Sequence, residues 1–581
     1  MKKLISLFLG LVLVLGVCLT SCSKKDDSEA ISDVTNKASE SAITLAMYLM
    51  SEEEVSAEQA AKIEAAVNKI TKVKFKTQMK LYFYTEEEYY EKLEAALKRK
   101  DEAVANGEVV TTAPAGDETT EAETVVNEYG LTELKYPEIT DYQVDIFYFA
   151  GADRYNSYVD AGWLSRLDEE LSSSSKALTS YITPGYLTYL KAYLSNSTYA
   201  IPNNRPIGEY TYLLLNKEVL NLTQYSKDDG FVSLTDEKCQ DILQIVKENY
   251  SDKYLPLYSS TGELDIPNFQ YWGVDADGNL SNNFSVLGGY ADPSLPYKKL
   301  DSYAPMDNTL ANRTYFLNPL RVLKEYQEKG YYGTEADAGK EFAIGYVKGG
   351  ADLVKTYGDK YEMVVVEKPT LRTPDLFEGM FGVAGYTADV SRSMQILTYL
   401  NTNEDFRNLI LYGIEGENYE YIESDVEDVN GDAYRLVRRL NDSYMMDLYK
   451  TGNALIATPL EGEDPEIREY GKTQNRDARI DLAMNFGLEY SGYRVDAAAL
   501  QELRALSEEI YTSIMNCSVA ELDDTIAAAN TKILGSAAYR TLMTSEAPKE
   551  SEESPATCSF RYLYYMWMEK MGIYKPAADE E

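Results

Sequence analysis

Carboxylates are the side chains with which this chain could carry out acid–base chemistry, because its 581 residues include 95 aspartates and glutamates and no histidine. Without histidine there is no Ser-His-Asp or Cys-His nucleophile system, no HExxH zinc site and no imidazole base that titrates near neutral pH. Two carboxylates could still hydrolyse a glycosidic bond, and chance pairs are common among so many acidic residues. The composition therefore disfavours an enzyme without excluding a glycoside hydrolase.

The cysteines and acidic loops do not form a metal motif. None of the five cysteines has the spacing of a zinc site. Asp275–Asn279 is similar to the start of a calcium loop, but Leu280 and Val286 replace the glycine and the final glutamate that such a loop needs. Cys517 and Cys558 could form a disulfide outside the cell or remain separate thiols, and the sequence leaves both possibilities open. We expect no metal and no cofactor.

The N-terminus has the pattern of a bacterial lipoprotein precursor. Two lysines precede an apolar run, and Leu19-Thr20-Ser21-Cys22 resembles the lipobox that signal peptidase II cuts. The run, residues 4–17, is shorter than the about 20 residues of a membrane-spanning helix, which is the weaker alternative. We therefore expect a signal peptide at 1–21, a lipidated Cys22 on the outer side of the cell membrane, and a flexible polar tether at 22–41.

Net charge and length restrict the partners and the architecture. The formal charge of −39 repels nucleic acid and anionic lipid headgroups, so contact with the membrane is expected through the lipid anchor only. The chain beyond the tether is longer than one hydrophobic core usually spans. Two or more lobes are therefore expected.

Strands and helices alternate in the N-terminal part of the chain. Ala42–Met50 is a continuous apolar run that predicts a buried strand, and Ser56–Gln59 is a capping box that begins a helix. Residues 73–83 alternate apolar and polar as in a half-buried strand, and Val144–Phe149 begins a third unit. This order predicts a parallel sheet in an α/β fold. Residues 101–128, rich in Ala, Thr, Glu and Gly, predict a disordered surface insertion.

The order of several short segments resembles the extracellular solute-binding proteins of ABC importers, a large family that includes the maltodextrin-binding proteins and LipO-type lipoproteins. The resemblance extends over about residues 43–542. Besides the lipobox it is carried by Val144-Asp145-Ile146, Tyr199-Ala-Ile-Pro202, Glu209–Asn216, Phe342–Tyr346 and Tyr412–Tyr419. It implies a two-lobed, periplasmic-binding-protein-like (type II) α/β fold, with hinge strands between the lobes and the solute in the cleft.

The resemblance also implies where the chain passes from one lobe to the other. Leu213–Asn216 and Val383–Tyr386 would be crossing strands. The first lobe would comprise 42–213 and 384–435, and the second lobe 214–383 and 436–575.

Two of these segments imply residues that contact the solute. Asp145–Arg154 is similar to the segment of maltodextrin binders in which a carboxylate and a guanidinium hold sugar hydroxyls, which implies Asp153 and Arg154. Gly208–Asn216 is similar to the hinge segment in which a glutamate reaches the sugar, which implies Glu209. Sugar hydroxyls both donate and accept, so an ionised carboxylate and a planar guanidinium would form charge-assisted hydrogen bonds with them.

Aromatic rings would supply the flat apolar surface on which a sugar ring lies. The chain has 50 tyrosines, and the aromatic residues where the family has its cleft are predicted ligand-binding residues: Tyr148, Tyr210, Tyr258, Trp272 and Tyr346. Gly345–Asp352 stands where the family has a tryptophan-bearing segment, and it has no tryptophan. An acidic sugar or a short peptide therefore remains an alternative to a neutral sugar.

The resemblance implies a monomeric, lipid-anchored receptor that captures an oligosaccharide or other carbohydrate and docks on the membrane subunits of an ABC permease. ATP hydrolysis is expected in a partner, because the chain has no GxxxxGK[ST] loop. A peptide or amino-acid receptor of the same fold is one alternative. A surface glycan-docking or adhesive lipoprotein is another, although the alternation at 73–83 is unlike helical repeats.

Overall fold

A computed structural model describes most of the chain between Ser41 and Tyr562. The predicted lipidation site Cys22, the predicted signal peptide and Trp272 lie outside the described residues. The described residues are 41–107, 124–126, 132–140, 142–182, 184–192, 195–262, 270–271, 273–274, 280–281, 286–289, 307–311, 313–334, 337, 339–428, 430–480, 493–544, 556–559 and 561–562.

Strands and helices of these residues alternate as in an α/β protein. The strands are β1 (Ile43–Ser51), β2 (Thr77–Thr85), β3 (Thr124–Val126), β4 (Thr132–Leu134), β5 (Ile146–Phe149), β6 (Ala200–Pro202), β7 (Tyr210–Asn216), β8 (Tyr254–Ser259), β9 (Gln270–Tyr271), β10 (Gly273–Val274), β11 (Leu280–Ser281), β12 (Leu287–Gly289), β13 (Asp307–Asn308), β14 (Glu341–Gly349), β15 (Tyr361–Glu367), β16 (Thr370–Leu371), β17 (Met380–Val383), β18 (Tyr419–Glu427), β19 (Ala433–Arg439), β20 (Arg479–Ile480), β21 (Tyr493–Val495) and β22 (Ala556–Cys558). The α-helices are α1 (Ala57–Phe75), α2 (Glu86–Ala105), α3 (Ala152–Asp160), α4 (Asp168–Ser172), α5 (Leu178–Tyr181), α6 (Pro184–Tyr189), α7 (Lys217–Thr223), α8 (Glu237–Asn249), α9 (Asn318–Glu328), α10 (Leu353–Tyr357), α11 (Thr373–Phe377), α12 (Val390–Thr402), α13 (Glu404–Tyr412), α14 (Ile467–Asp477), α15 (Ala497–Asn516), α16 (Leu522–Gly535) and α17 (Ala537–Met543).

The first sheet forms the core of the first lobe. Its strand order is β2-β1-β5-β17-β6, with β1 parallel to β2 and β5, and β17 antiparallel to β5 and β6. β1 is buried along almost its whole length because it is an inner strand. The predicted first strand–helix units are confirmed. At the start of α1 the Ser56 side chain accepts the Gln59 N–H, whereas the Gln59 amide donates to Asn418 instead of closing the capping box.

The second sheet forms the core of the second lobe, with the order β15-β7-β14-β8. β14 is parallel to β8, and β7 is antiparallel to both β14 and β15. Side chains alternate between its faces. Leu213, Leu215 and Tyr346 point into the core on the face that α8 covers, whereas Tyr212 and Val347 pack in a small cluster on the other face.

The predicted crossing strands and lobe boundaries are wrong in position. Leu213–Asn216 belongs to β7 inside the second sheet, and Met380–Val383 is β17, inside the first sheet between β5 and β6. The boundary at 435/436 falls within β19, which pairs with β18. Apolar runs of this kind predict a buried strand but not which sheet it joins, because the sheet is chosen by long-range hydrogen bonding.

The first residues of the predicted disordered insertion are helical. α2 continues to Ala105, and the Asp101 Oδ2 accepts a hydrogen bond of 2.6 Å from the Trp163 indole. At the other end, β3 pairs with β4, so residues 124–126 are a short strand. Residues 108–123 lie outside the described residues.

The C-terminal helices are joined to the second lobe by a buried lysine. Lys324 on α9 is 2% exposed, and its Nζ donates to the carbonyls of Ile514 and Met515 in the last turn of α15. These carbonyls have no partner within the helix, and a cation at the helix C-terminus also interacts favourably with the helix dipole. Cys517, next to this turn, is a free thiol. Of the two alternatives for Cys517, the structure therefore shows the separate thiol and not the disulfide with Cys558.

Buried tyrosines predict a loss of stability at alkaline pH. Burial raises the pKa of Tyr186, which is 1% exposed, to about 12, whereas an unfolded tyrosine titrates near about 10. The neutral phenol is favoured in the folded state, so this stabilisation is complete below about pH 10 and is lost between about pH 10 and 12. For Tyr186 it amounts to about 2–3 kcal/mol. Denaturant unfolding between pH 8 and 11 should show a flat region followed by a decline that is shallower in Tyr186→Phe. A native protein whose tyrosines all ionise near pH 10 would contradict this expectation.

Candidate functional site

Two of the described segments that connect the lobes run between the carboxyl edges of the two sheets. The first segment, residues 203–209, leaves β6 and enters β7, and the second, residues 368–379, leaves β15 and enters β17. In the first sheet the carboxyl ends of β1, β2, β5 and β6 share an edge with the start of β17. In the second sheet the carboxyl ends of β8, β14 and β15 share an edge with the start of β7. Both carboxyl edges therefore border the space between the lobes, where open α/β sheets bind ligands.

The two crossing segments touch each other at a glycine. Gly208 has a φ of +54°, and a Cβ at this position would lie 2.8 Å from the Thr370 main-chain N. Any other residue would therefore be strained and would push the segments apart. Arg205 of the first segment forms ion pairs with Asp375 and Glu378 of the second.

A third segment, which includes α14, holds the first crossing segment by side-chain amides. The Gln474 amide donates to the carbonyls of Ile207 and Gly208. The neighbouring Asn475 accepts the Ile207 N–H at 2.9 Å and donates to the Arg205 carbonyl at 2.7 Å. After α14, β20 pairs with β16 of the second crossing segment. The hinge is therefore an assembly of three segments, not a pair of long strands.

At the first carboxyl edge lie Asp153 and Arg154, both predicted to bind the solute. Asp153 is exposed in the first turn of α3, directly after β5. The Arg154 guanidinium carbon lies 3.6 Å from the centroid of the Tyr90 ring, and its Nη1 donates to the Ala150 carbonyl at 3.3 Å. Stacking of this kind orients a guanidinium and leaves its other N–H groups for a ligand.

At the second carboxyl edge lie Glu209 and Tyr210. Glu209 is exposed and immediately precedes β7. The Tyr210 ring is buried and stacks on Tyr212 at 5.2 Å, and its hydroxyl donates to the Asp477 carboxylate at 3.0 Å. Burial raises the pKa of Tyr210, and the Asp477 hydrogen bond raises it further. The structure thus places an exposed Glu209 at this edge and gives Tyr210 a packing role.

Tyr258, near the end of the outer strand β8, lies level with Gly345 in the middle of β14, and not at the carboxyl edge where β14 ends at Gly349. Its side chain is 38% exposed. The ring stacks on Phe342 at 5.1 Å, and Phe342 stacks on Tyr361 at 4.5 Å. Three stacked rings fix the orientation of the outermost one.

Two predicted aromatic contacts are packed inside the lobes. Tyr346 is 1% exposed on the helix-covered face of the second sheet, and Tyr148 is 3% exposed on β5, with its hydroxyl beside Gly379. Burial raises the pKa of the Tyr148 hydroxyl. Both residues are on the predicted strands, but the alternation of side chains turns them into the core. The structure therefore brings Asp153, Arg154 and Glu209 to the interlobe edges, whereas Tyr346 lies in the core and Tyr148 reaches the first edge only as a buried ring.

The sequence analysis missed a loop at the first carboxyl edge. The Asn203 side chain donates to the Tyr449 carbonyl at 2.8 Å, and Lys450 pairs with Glu86, the first residue of α2, at 2.8 Å. This loop has no periodic pattern and follows β6 by more than two hundred residues, so no local signal connects it with the edge.

Neither a membrane span nor a metal cluster is found in the part of the chain that the structure describes. None of its helices is both long and apolar enough to cross a membrane. It also contains no group of three acidic or cysteine side chains arranged to hold a metal ion.

No family model and no curated protein matches the chain. Its structure is similar to that of an N-glycan transport solute-binding protein from Streptococcus pneumoniae, with 17% sequence identity, a TM-score of 0.50 and alignment over 90% of this chain and 99% of that one. An extracellular solute-binding protein from Bifidobacterium longum subsp. infantis matches with 11% identity, a TM-score of 0.43 and alignment over 91% of this chain and 99% of that one. The predicted fold is thereby confirmed: the chain has the two-lobed α/β fold of the extracellular solute-binding proteins.

Proposed function

We propose that this protein is the solute receptor of an ABC importer and captures an oligosaccharide between its two lobes. The observation that supports this most directly is an exposed carboxylate at each of the two carboxyl edges, Asp153 in the first lobe and Glu209 in the second. Both edges border the same space. A solved structure with the same fold is that of a protein named for N-glycan transport, which is consistent with a saccharide.

Capture requires only hydrogen bonding, stacking and closure. Asp153 and Glu209 would accept from sugar hydroxyls, and Arg154, oriented by Tyr90, would donate to them. A solute that contacts both lobes favours the closed state by its differential binding energy, and the crossing segments absorb the change. No covalent step is involved, so the protein acts as a receptor and not as an enzyme.

Charge at the two edges favours a neutral solute over an acidic one. Lys450 is paired with Glu86, and Lys368 with Asp477. Neither Asp153 nor Glu209 has an ion pair within the described residues, and Arg154 supplies one positive charge against these two carboxylates, so the three groups sum to −2 + 1 = −1 and repel an acidic sugar. The net charge of −39 also repels an acidic solute.

We extend the proposal to attachment and partners. Lipidation of Cys22 would hold the receptor on the outer side of the cell membrane, and the closed, solute-bound form would dock on the permease. The lipobox and the polar segment after it support this extension. Mass spectrometry of the protein from its native membrane tests it, because a lipidated Cys22 would be the N-terminal residue.

Thermal unfolding with a panel of solutes tests the capture of an oligosaccharide. A solute at a hundredfold excess over its dissociation constant stabilises the folded state by about 2.7 kcal/mol, which raises the melting temperature by several degrees. We expect a rise with neutral oligosaccharides such as maltotriose, mannotriose and triacetylchitotriose, and none with trigalacturonate or sialyllactose. A rise with peptides alone would overturn the sugar assignment and leave the receptor. No rise with any solute would favour the adhesive alternative.

A further inference from the structure

The loop that the sequence analysis missed, residues 447–453 and hereafter the Tyr449 loop, extends along the carboxyl edge of the first sheet. At one point the Tyr449 carbonyl accepts from Asn203, which follows β6, and lies beside Gly379, which precedes β17. At another, the Lys450 ammonium pairs with Glu86 at the start of α2, which follows β2. The loop therefore spans the edge from the crossing segments to the end of an outer strand.

A buried arginine holds both ends of this loop. Arg407 on α13 is 0% exposed, and its guanidinium donates to the Leu448 carbonyl at 2.7 Å and to the Asn453 carbonyl at 3.1 Å. Desolvation lowers the pKa of Arg407 to about 10, so it remains charged at neutral pH. Hydrogen bonds to a charged donor in a buried site are strong, and they limit the movement of the loop.

The loop also has internal hydrogen bonds that fix its turn. The Asp447 Oδ1 accepts the N–H groups of Tyr449 at 2.6 Å and Lys450 at 3.1 Å, and the Thr451 hydroxyl donates to the Asp447 carbonyl. Asn453 donates from its side chain to the Asn401 carbonyl. The backbone around Tyr449 is thus held from both sides and from within.

The Tyr449 side chain is nevertheless exposed. Its exposed fraction is 45%, and the other tyrosines with large exposed surfaces in the described part of the chain are Tyr258 at 38% and Tyr511 at 45%. Tyr258 lies level with Gly345 in the middle of β14, and Tyr511 is on the C-terminal helix α15. Of these three tyrosines, Tyr449 is therefore the one whose backbone lies at a carboxyl edge, and it has a rigid support.

We propose that Tyr449 is a saccharide-stacking residue of the first lobe and covers one face of a neutral saccharide, an inference that rests on the proposed function. A sugar ring has an apolar C–H face that an aromatic ring can cover, and a ring on a fixed backbone loses little conformational entropy on binding. The tyrosine ring carries no formal charge, so this contact suits a neutral sugar.

Isothermal titration calorimetry of single variants tests this inference with the neutral oligosaccharides maltotriose, mannotriose and triacetylchitotriose. Tyr449→Ala should weaken binding at least about tenfold, as truncation of an aromatic anchor does. Tyr449→Phe and Tyr449→Trp keep the stacking surface and should stay within about threefold of the natural protein. Tyr511→Ala removes an equally exposed tyrosine away from both edges and should leave affinity unchanged. The thermal unfolding of each unliganded variant shows whether it is folded.

Each further outcome has a distinct meaning. If the natural protein binds a saccharide and Tyr449→Ala binds it as tightly as Tyr511→Ala does, the role of Tyr449 is refuted and the receptor function stands. If Tyr449→Phe loses as much affinity as Tyr449→Ala, the hydroxyl and not the ring face is used, and stacking is refuted. If the natural protein binds no saccharide of the panel while a peptide binds, the proposed sugar function and this inference both fail.

Discussion

Replacing Asp145 by alanine is expected to lower the free energy of unfolding by about 3–5 kcal/mol. Its carboxylate is 0% exposed and accepts four hydrogen bonds. One oxygen accepts from the Ala46 N–H at 2.8 Å and the Gln143 amide at 2.6 Å, and the other from the Thr387 hydroxyl at 2.7 Å and the Ala388 N–H at 2.8 Å. Alanine would leave two buried main-chain N–H groups without acceptors, each of which costs about 1–3 kcal/mol.

The effect is large because this carboxylate joins three parts of the first lobe. Ala46 lies on β1, Asp145 precedes β5, and Thr387 and Ala388 follow β17, which is the strand that returns from the second lobe. Denaturant unfolding of Asp145→Ala measures the loss, and Asp153→Ala, which removes an exposed aspartate from a helix first turn, should cost less than about 1 kcal/mol. Equal stabilities of these two variants would show that the buried network contributes nothing.

Replacing Glu209 by alanine is expected to weaken solute binding about ten- to a hundredfold, because a hydrogen bond to a charged acceptor contributes about 1.5–3 kcal/mol. The carboxylate is exposed at the point where the first crossing segment enters β7, so it can reach a solute between the lobes. Asp153→Ala is expected to have an effect of similar size from the other lobe. Isothermal titration calorimetry with the oligosaccharide that gives the largest thermal shift measures both.

Two exposed acidic residues away from the carboxyl edges serve as matched controls. Glu248 lies in the last turn of α8, near the amino end of β8. Asp160 is the last residue of α3, the helix whose first turn contains Asp153. Glu248→Ala and Asp160→Ala should leave the dissociation constant unchanged. If Glu209→Ala behaved like Glu248→Ala, the interlobe position of Glu209 would have no role in binding.

The elements of the fold were predictable where the signal is local. The apolar run at 42–50 became β1, and the alternating segment at 73–83 overlaps β2, although its first residues finish α1. Ser56 caps α1 as predicted. Hydrophobic periodicity and capping act between residues a few positions apart, so they can be recognised in one segment.

The candidate site was only partly predictable. Asp153 follows β5 and Glu209 precedes β7, two strands with a clear apolar pattern, and the structure places both residues at the interlobe edges. Tyr346 is also on a predicted strand, but whether a strand residue faces a cleft or a helix depends on what covers each face of the sheet. Tyr449 has no local pattern, and its position comes from contacts with Asn203, Glu86 and Arg407.

The sequence by itself determined that this protein is a highly acidic α/β chain without histidine chemistry, and it indicated two of the carboxylates at the interlobe edges. The tertiary structure alone decided where the chain crosses between lobes, which tyrosines are buried and which loop borders the first edge. β17 pairs with β5 across more than two hundred residues of sequence, and a pairing of that kind depends on the backbone hydrogen bonds of distant strands and not on the composition of either strand.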